Sequence, residues 1–95
     1  MTTSFRVAQD VRYRVIDDEA VVIRQTEGDV LVLNDVGARV LQLVGEGLTA
    51  AEIGDRVAGE YEAPEETIRN DVERFFGELE ELKVIVRLPT TGDAP

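Results

Sequence analysis

Almost all the side chains in this sequence that could do chemistry are carboxylates. Twenty Asp and Glu stand against ten Lys and Arg, a net charge of −10 over 95 residues, and there is no Cys and no His. The missing types remove disulfides, thiolate zinc sites, Cys nucleophiles and every His-based acid–base or metal scheme. The one serine, Ser4, lies in an N-terminal stretch read as flexible, a poor place for a nucleophile. Two acidic runs remain: Asp17-Asp18-Glu19, and Glu78 with Glu80 and Glu81. Neither has the alternating ligands and central Gly of a calcium loop. They read as a polar turn and a solvated helix face. No cofactor and no metal are expected, and the composition points to a small acidic binding module rather than an enzyme. Such a charge repels nucleic acid and anionic membranes. The longest apolar runs, Ala20–Ile23 and Val30–Leu33, are four residues each, against the ~20 needed to span a bilayer. The N-terminus lacks the basic start and apolar stretch of a secretion signal, so a cytoplasmic location is expected.

Binding chemistry is better supplied by Val30-Leu31-Val32-Leu33. The run is apolar on both faces. If it lies at a sheet edge, its main chain offers unpaired N–H and C=O groups to an extended peptide. The competing reading is that a helix covers the strand and the run is core.

The elements that would position this strand follow from periodicity. Val11, Tyr13 and Val15 alternate with Arg12 and Arg14, a half-buried strand. Ala20–Ile23 is a second strand and Val30–Leu33 a third, with Gly28 in the turn between them. Asn34 and Asp35 suit a helix N-cap, and Val36, Val40, Leu41 and Val44 follow at helical spacing up to Gly45-Glu46-Gly47. Thr49 with Glu52 forms a capping-box pattern ahead of Ile53 and Val57. Pro64, Glu65 and Glu66 open a third helix, whose seam steps through Ile68, Val72, Phe75, Leu79 and Leu82. Val84-Ile85-Val86 is a brief extended end. The expected fold is α+β and winged-helix-like, a three-stranded antiparallel sheet packed on three helices. Residues 1–6 and 89–95 are expected to be flexible, with the domain between them.

A winged helix suggests DNA binding, and the charge opposes it. Glu60 to Glu81 holds nine acidic residues and two basic ones, Arg69 and Arg74. A recognition helix of that sign would be repelled by phosphate.

Several segments together resemble the PqqD-like family. Val30–Asn34 followed by Val36-Gly37-Ala38-Arg39-Val40-Leu41 is similar to its "LN-x-x-G" segment, and Gly47-Leu48-Thr49-Ala50-Ala51-Glu52-Ile53 to its "G-x-T-x-x-E-I" element. Tyr61, Asp71-Val72, Phe75-Phe76 and Leu79 are similar to its "Y…D-V…F-L…L" stretch. Lys83 stands where the family closes with a glycine. The resemblance covers about Val7 to Val86. It implies a domain without catalytic activity that binds the leader of a ribosomally synthesised precursor peptide. The leader adds as a strand along the third strand, in a groove facing the third helix, and the domain presents it to a modifying enzyme such as a radical SAM enzyme, leader peptidase or cyclase. Carried onto this chain, the peptide would lie on Val30, Leu31, Val32 and Leu33. It would face a stripe of Arg69, Val72, Glu73 and Phe76, with Val30, Val32, Val72 and Phe76 forming the apolar pockets. Ile68, Phe75 and Leu79 are assigned to the core, and Phe76 is the residue the seam does not need. Quinone-cofactor, lasso-peptide and thioether-peptide pathways stay open. The alternatives are a winged-helix regulator that binds protein or DNA, and a homodimer paired through the same edge.

Overall fold

The computed structural model describes residues 3–89. Its elements, in chain order, are β1 (Phe5–Val7), β2 (Val11–Ile16), β3 (Glu19–Arg24), β4 (Asp29–Leu33), α1 (Asp35–Gly45), α2 (Ala50–Glu60), α3 (Glu65–Glu81) and β5 (Ile85–Arg87). The expected α+β arrangement of three helices and a three-stranded antiparallel sheet is present, in the order β2-β3-β4. A second, two-stranded sheet pairs β1 with β5, Phe5 opposite Arg87 and Val7 opposite Ile85.

Local sequence explains the boundaries. Ile16 pairs with Glu19 across a two-residue loop, and Asp17 and Asp18 both have positive φ, 49° and 68°. That is the left-handed geometry of a tight hairpin turn, which Asp tolerates better than most residues. The acidic run is therefore a turn. Asn34 Oδ1 accepts a hydrogen bond from the Gly37 N–H at 2.9 Å and starts α1. The capping box of α2 is complete: Thr49 Oγ1 accepts from Glu52 N–H at 3.1 Å, and Glu52 Oε1 accepts from Thr49 N–H at 2.8 Å. α3 ends in a Schellman turn, with Val84 N–H donating to Leu79 C=O at 2.9 Å and Lys83 N–H to Glu80 C=O at 3.0 Å. The turn places Lys83 at φ 62°, a position that favours Gly.

The core lies between the inner face of the sheet and the helices. Val11, Ala20, Val22 and Leu33 enter it from the strands; Val40, Leu41, Ile53, Val57, Ile68, Val72 and Leu79 enter it from the helices. Two expectations need correction. The stretch 1–6 is not wholly loose: Ser4 bridges Thr49, and Phe5 is 3% exposed, stacked on Phe76 with ring centroids 4.9 Å apart. Arg87 covers the Phe5 ring at 5.0 Å. Phe76, expected outside the core, is 4% exposed, and Val72 is 1% exposed. An aromatic beside the seam becomes core once a strand arrives to cover it. Met1, Thr2 and the stretch from residue 90 onward lie outside the described residues.

Candidate functional site

β4 pairs with β3 on one side, Val21 opposite Val32 and Ile23 opposite Val30. Among the described residues no strand pairs with its other side. Which main-chain groups face that open side follows from alternation. Gln25 N–H donates to Asp10 C=O at 2.9 Å, so Asp10 and Gln25 form a hydrogen-bonded pair just beyond Val11–Arg24. Antiparallel ladders alternate. Arg24, Val22 and Ala20 therefore turn their main-chain groups toward β4, and meet Asp29, Leu31 and Leu33. The N–H and C=O groups of Val30 and Val32 point the other way, to the open edge. Four groups are thus presented for an added strand.

The side chains divide by the same parity. Leu33 is buried and Leu31 partly buried, both on the helical side. Val30 and Val32 are 59% and 63% exposed, on the opposite face of the sheet. They supply main-chain groups at the edge and do not line a pocket against α3, contrary to the expectation.

Opposite the edge stands α3, and the register of its flanks is fixed by three contacts. Phe75 lies against α1 at Gly37, a point that Leu33 also approaches: a Cβ placed on Gly37 would come within 2.8 Å of Phe75 Cε1 and 3.2 Å of Leu33 Cβ. Phe76 stacks on Phe5 of β1. Glu80 meets Arg87 of β5 at 3.1 Å. The flank of α3 away from Phe76 and Glu80 therefore carries Asp71, Arg74, Phe75 and Glu78, spaced i, i+3, i+4 and i+7, with Leu82 at the C-cap. The expected stripe of Arg69, Val72, Glu73 and Phe76 lies along the other flank. Arg69 is engaged by Asp55 of α2 at 2.6 Å and by Glu65 at 2.9 Å, and Glu73 is exposed. Phe76 belongs to the core because Phe5, more than seventy residues away, covers it, a contact that no local pattern announces. The Phe75–Gly37 contact was within reach of sequence reasoning, since a glycine inside a helix marks a close approach.

One end of the groove is braced electrostatically. The Arg24 guanidinium forms a bidentate pair with Asp29 and donates from Nη1 to Leu82 C=O at 2.8 Å. It ties the β3–β4 turn to the last carbonyls of α3, where a cation is favoured. The Arg24 hydrogen bond, outweighing partial desolvation, holds the Asp29 carboxyl below the ordinary range. Beside this brace an open cleft of about 680 Å3 is lined by charged groups, among them Asp10, Glu27, Lys83 and Arg87. It contains no β4 edge group. Among the described residues no three acidic side chains gather as a metal-ligand set, and no helix is long and apolar enough to cross a membrane.

The arrangement is thus an unpaired strand edge facing a helix flank that mixes apolar and charged groups, suited to strand addition. Two solved structures share the fold. One, described as TbiB1 in complex with the TbiA(beta) leader peptide, is 28% identical, with a TM-score of 0.76 over 95% of this chain and 99% of that one. The other, lasso peptide synthetase B1 complexed with the leader peptide, is 23% identical, with a TM-score of 0.75 over 90% and 99%. No curated protein is similar enough to count as a match. The profile of the Coenzyme PQQ synthesis protein D (PqqD) family matches residues 19–85, a span that holds β3, β4 with its open edge and all three helices, and the chain belongs to that family.

Proposed function

We propose that this chain is a leader-peptide recognition domain for a ribosomally synthesised, modified peptide. It acts in the cytoplasm, without catalysis of its own, and passes the bound precursor to a modifying enzyme. The carrying observation is the open edge of β4, where the main-chain groups of Val30 and Val32 point away from β3 and meet no strand among the described residues. Family membership supports the reading, as does the likeness to TbiB1, whose solved structure holds a leader peptide.

The leader adds antiparallel or parallel to β4 as a fourth strand. Its main chain exchanges hydrogen bonds with Val30 and Val32. Its inward side chains meet Leu31, Phe75 and Leu82, and its outward ones lie beside Val30 and Val32. Main-chain bonding supplies affinity that tolerates sequence change, and the inward side chains supply selectivity. The lasso, thioether or quinone-cofactor pathway would be set by those side chains and by the enzyme that follows, whether radical SAM enzyme, leader peptidase or cyclase.

The test is Val32→Pro, read by fluorescence anisotropy with a labelled leader. Proline removes one edge-facing N–H and leaves the β3 ladder intact, a position where strands accept it. A lost hydrogen bond of about 1 kcal/mol and the bulk of the ring together predict at least a tenfold weaker Kd, with the fold retained by circular dichroism. Unchanged leader affinity in this variant, or no binding by the wild type, would overturn the reading.

A further inference from the structure

The outer face of the sheet has no part in the core or in the groove. Two cross-strand rows cover it, Arg12–Ile23–Val30 and Arg14–Val21–Val32. Of the five large apolar side chains exposed among the described residues, four lie here: Ile16 at 49%, Ile23 at 44%, Val30 at 59% and Val32 at 63%. An exposed β-branched face on a small domain marks an interaction surface more often than an accident.

Its charge also differs from that of the helical side. Arg24, Arg39, Arg69, Arg74 and Arg87 each hold a carboxylate of the chain. Of the basic residues that hold none among the described residues, Arg6, Arg56 and Lys83 stand singly on β1, α2 and the turn after α3, whereas Arg12 and Arg14 lie together, exposed, on one strand face; the Arg12 guanidinium donates only to the main-chain oxygens of Gln9 and Val11. The one acidic side chain on this face is Glu19, at its end. A protein of net charge −10 therefore turns one apolar, locally basic face to solvent.

We infer that this face docks a folded protein partner whose surface sets carboxylates among aliphatic side chains, and that the partner is the enzyme modifying the bound precursor. Naming the enzyme rests on the proposed function; the docking face does not. The helices and their acidic groups lie a layer away, about 10 Å through the sheet, beyond a Debye length of about 8 Å at physiological salt. The local sign governs the encounter, and the acidic remainder of the surface repels the partner in every other orientation. A second copy of this chain is a poor occupant. Face-to-face pairing would gather four guanidinium groups, and three strands span only about 10 Å by 17 Å between axes, well under the ~800 Å2 per partner of a standard interface. A transient partner fits this size.

The probe is a purified peptide-modifying enzyme of the same organism, of the radical SAM, leader-peptidase or cyclase class, titrated onto the domain by calorimetry at two salt concentrations. Leader binding is followed in parallel by anisotropy. The variants are R12E/R14E and Ile23→Thr, none of them at the β4 edge. The expected result is at least a tenfold loss of enzyme affinity in R12E/R14E, a several-fold loss in Ile23→Thr, weakening of the wild-type complex by salt, and leader Kd within threefold throughout. Equal enzyme affinity in wild type and R12E/R14E would overturn the inference, as would no enzyme binding. Concentration-dependent dimerisation in sedimentation that R12E/R14E abolishes would assign the face to a second copy instead. Binding to phosphatidylglycerol vesicles without enzyme binding would assign it to a membrane. If the leader binds and the enzyme does not, only this inference fails. If the leader fails to bind while the enzyme binds and is lost in R12E/R14E, the face stands and the leader reading falls.

Discussion

Replacing Phe76 by Ala separates two roles for α3. Phe76 is 4% exposed and its ring stacks on Phe5 at 4.9 Å with an interplanar angle of 26°. Through that pair the β1–β5 ribbon is held against the helix. Removing a buried Phe ring costs about 3–5 kcal/mol, of which an aromatic pair accounts for about 0.5–1.5 kcal/mol. At about 0.05–0.15 kcal/mol per residue, a domain of this size has about 5–14 kcal/mol in total, so a large share is lost. With about 4–8 °C per kcal/mol, Tm should fall by at least about 12 °C. Urea unfolding by circular dichroism gives the free energy, and a Phe5→Ala/Phe76→Ala cycle gives the coupling. Leader anisotropy measured at 10 °C, where folded protein still dominates, should yield a Kd within about threefold of wild type. Phe76→Leu should recover most of the stability. The opposite pattern, a Tm within 2 °C of wild type with leader affinity reduced more than tenfold, would make Phe76 a groove residue and refute the burial argument.

Lys83 sits at φ 62° in the Schellman turn that closes α3, a conformation that costs a residue with a Cβ about 1 kcal/mol or more. Lys83→Gly should therefore raise Tm by about 4–8 °C in a thermal melt. A Cβ on Gly37 would meet Phe75 Cε1 at 2.8 Å and Leu33 Cβ at 3.2 Å. In Gly37→Ala that overpacking, about 1–3 kcal/mol, should outweigh the roughly 1 kcal/mol gained in helix propensity; differential scanning calorimetry should show a lower Tm, and leader affinity should fall because the displaced ring lies beside β4. The Arg39 hydrogen bond holds the Glu60 carboxyl below its ordinary pKa. A depressed folded pKa adds stability above the unfolded value, near pH 4.3, and the addition is lost as pH falls through the folded value. The Tm gap between wild type and Glu60→Gln, a few degrees at most for so exposed a pair, should be present at pH 7 and shrink steadily below about pH 4; a gap that widens in acid would contradict the assignment.

The divide between what was readable in the sequence and what was not follows the range of the interactions. Strand alternation, the Asn34 and Thr49 caps, the α3 seam and the turn glycines are settled by neighbours within about four residues. The sequence alone therefore determined the three strands of the main sheet, the three helices and their order. The absence of Cys and His and the placing of charge were readable for the same reason. Long-range contacts decided the rest. Phe5 lies more than seventy positions from Phe76, and β1 is three residues long, too short to announce itself by periodicity. Without it, Phe76 had no cover and seemed free for a ligand. Its arrival placed Phe76 in the core, and the proposed groove lies on the flank of Phe75 and Leu82. Parity acted similarly in β4. The composition of Val30–Leu33 is apolar throughout, and only pairing with β3 decided that Leu31 and Leu33 turn inward, that the main chain of Val30 and Val32 meets the edge, and that their side chains join Ile23 on the outer face. An apolar strand can present either face, and the register that chooses between them exists only when the sheet has formed.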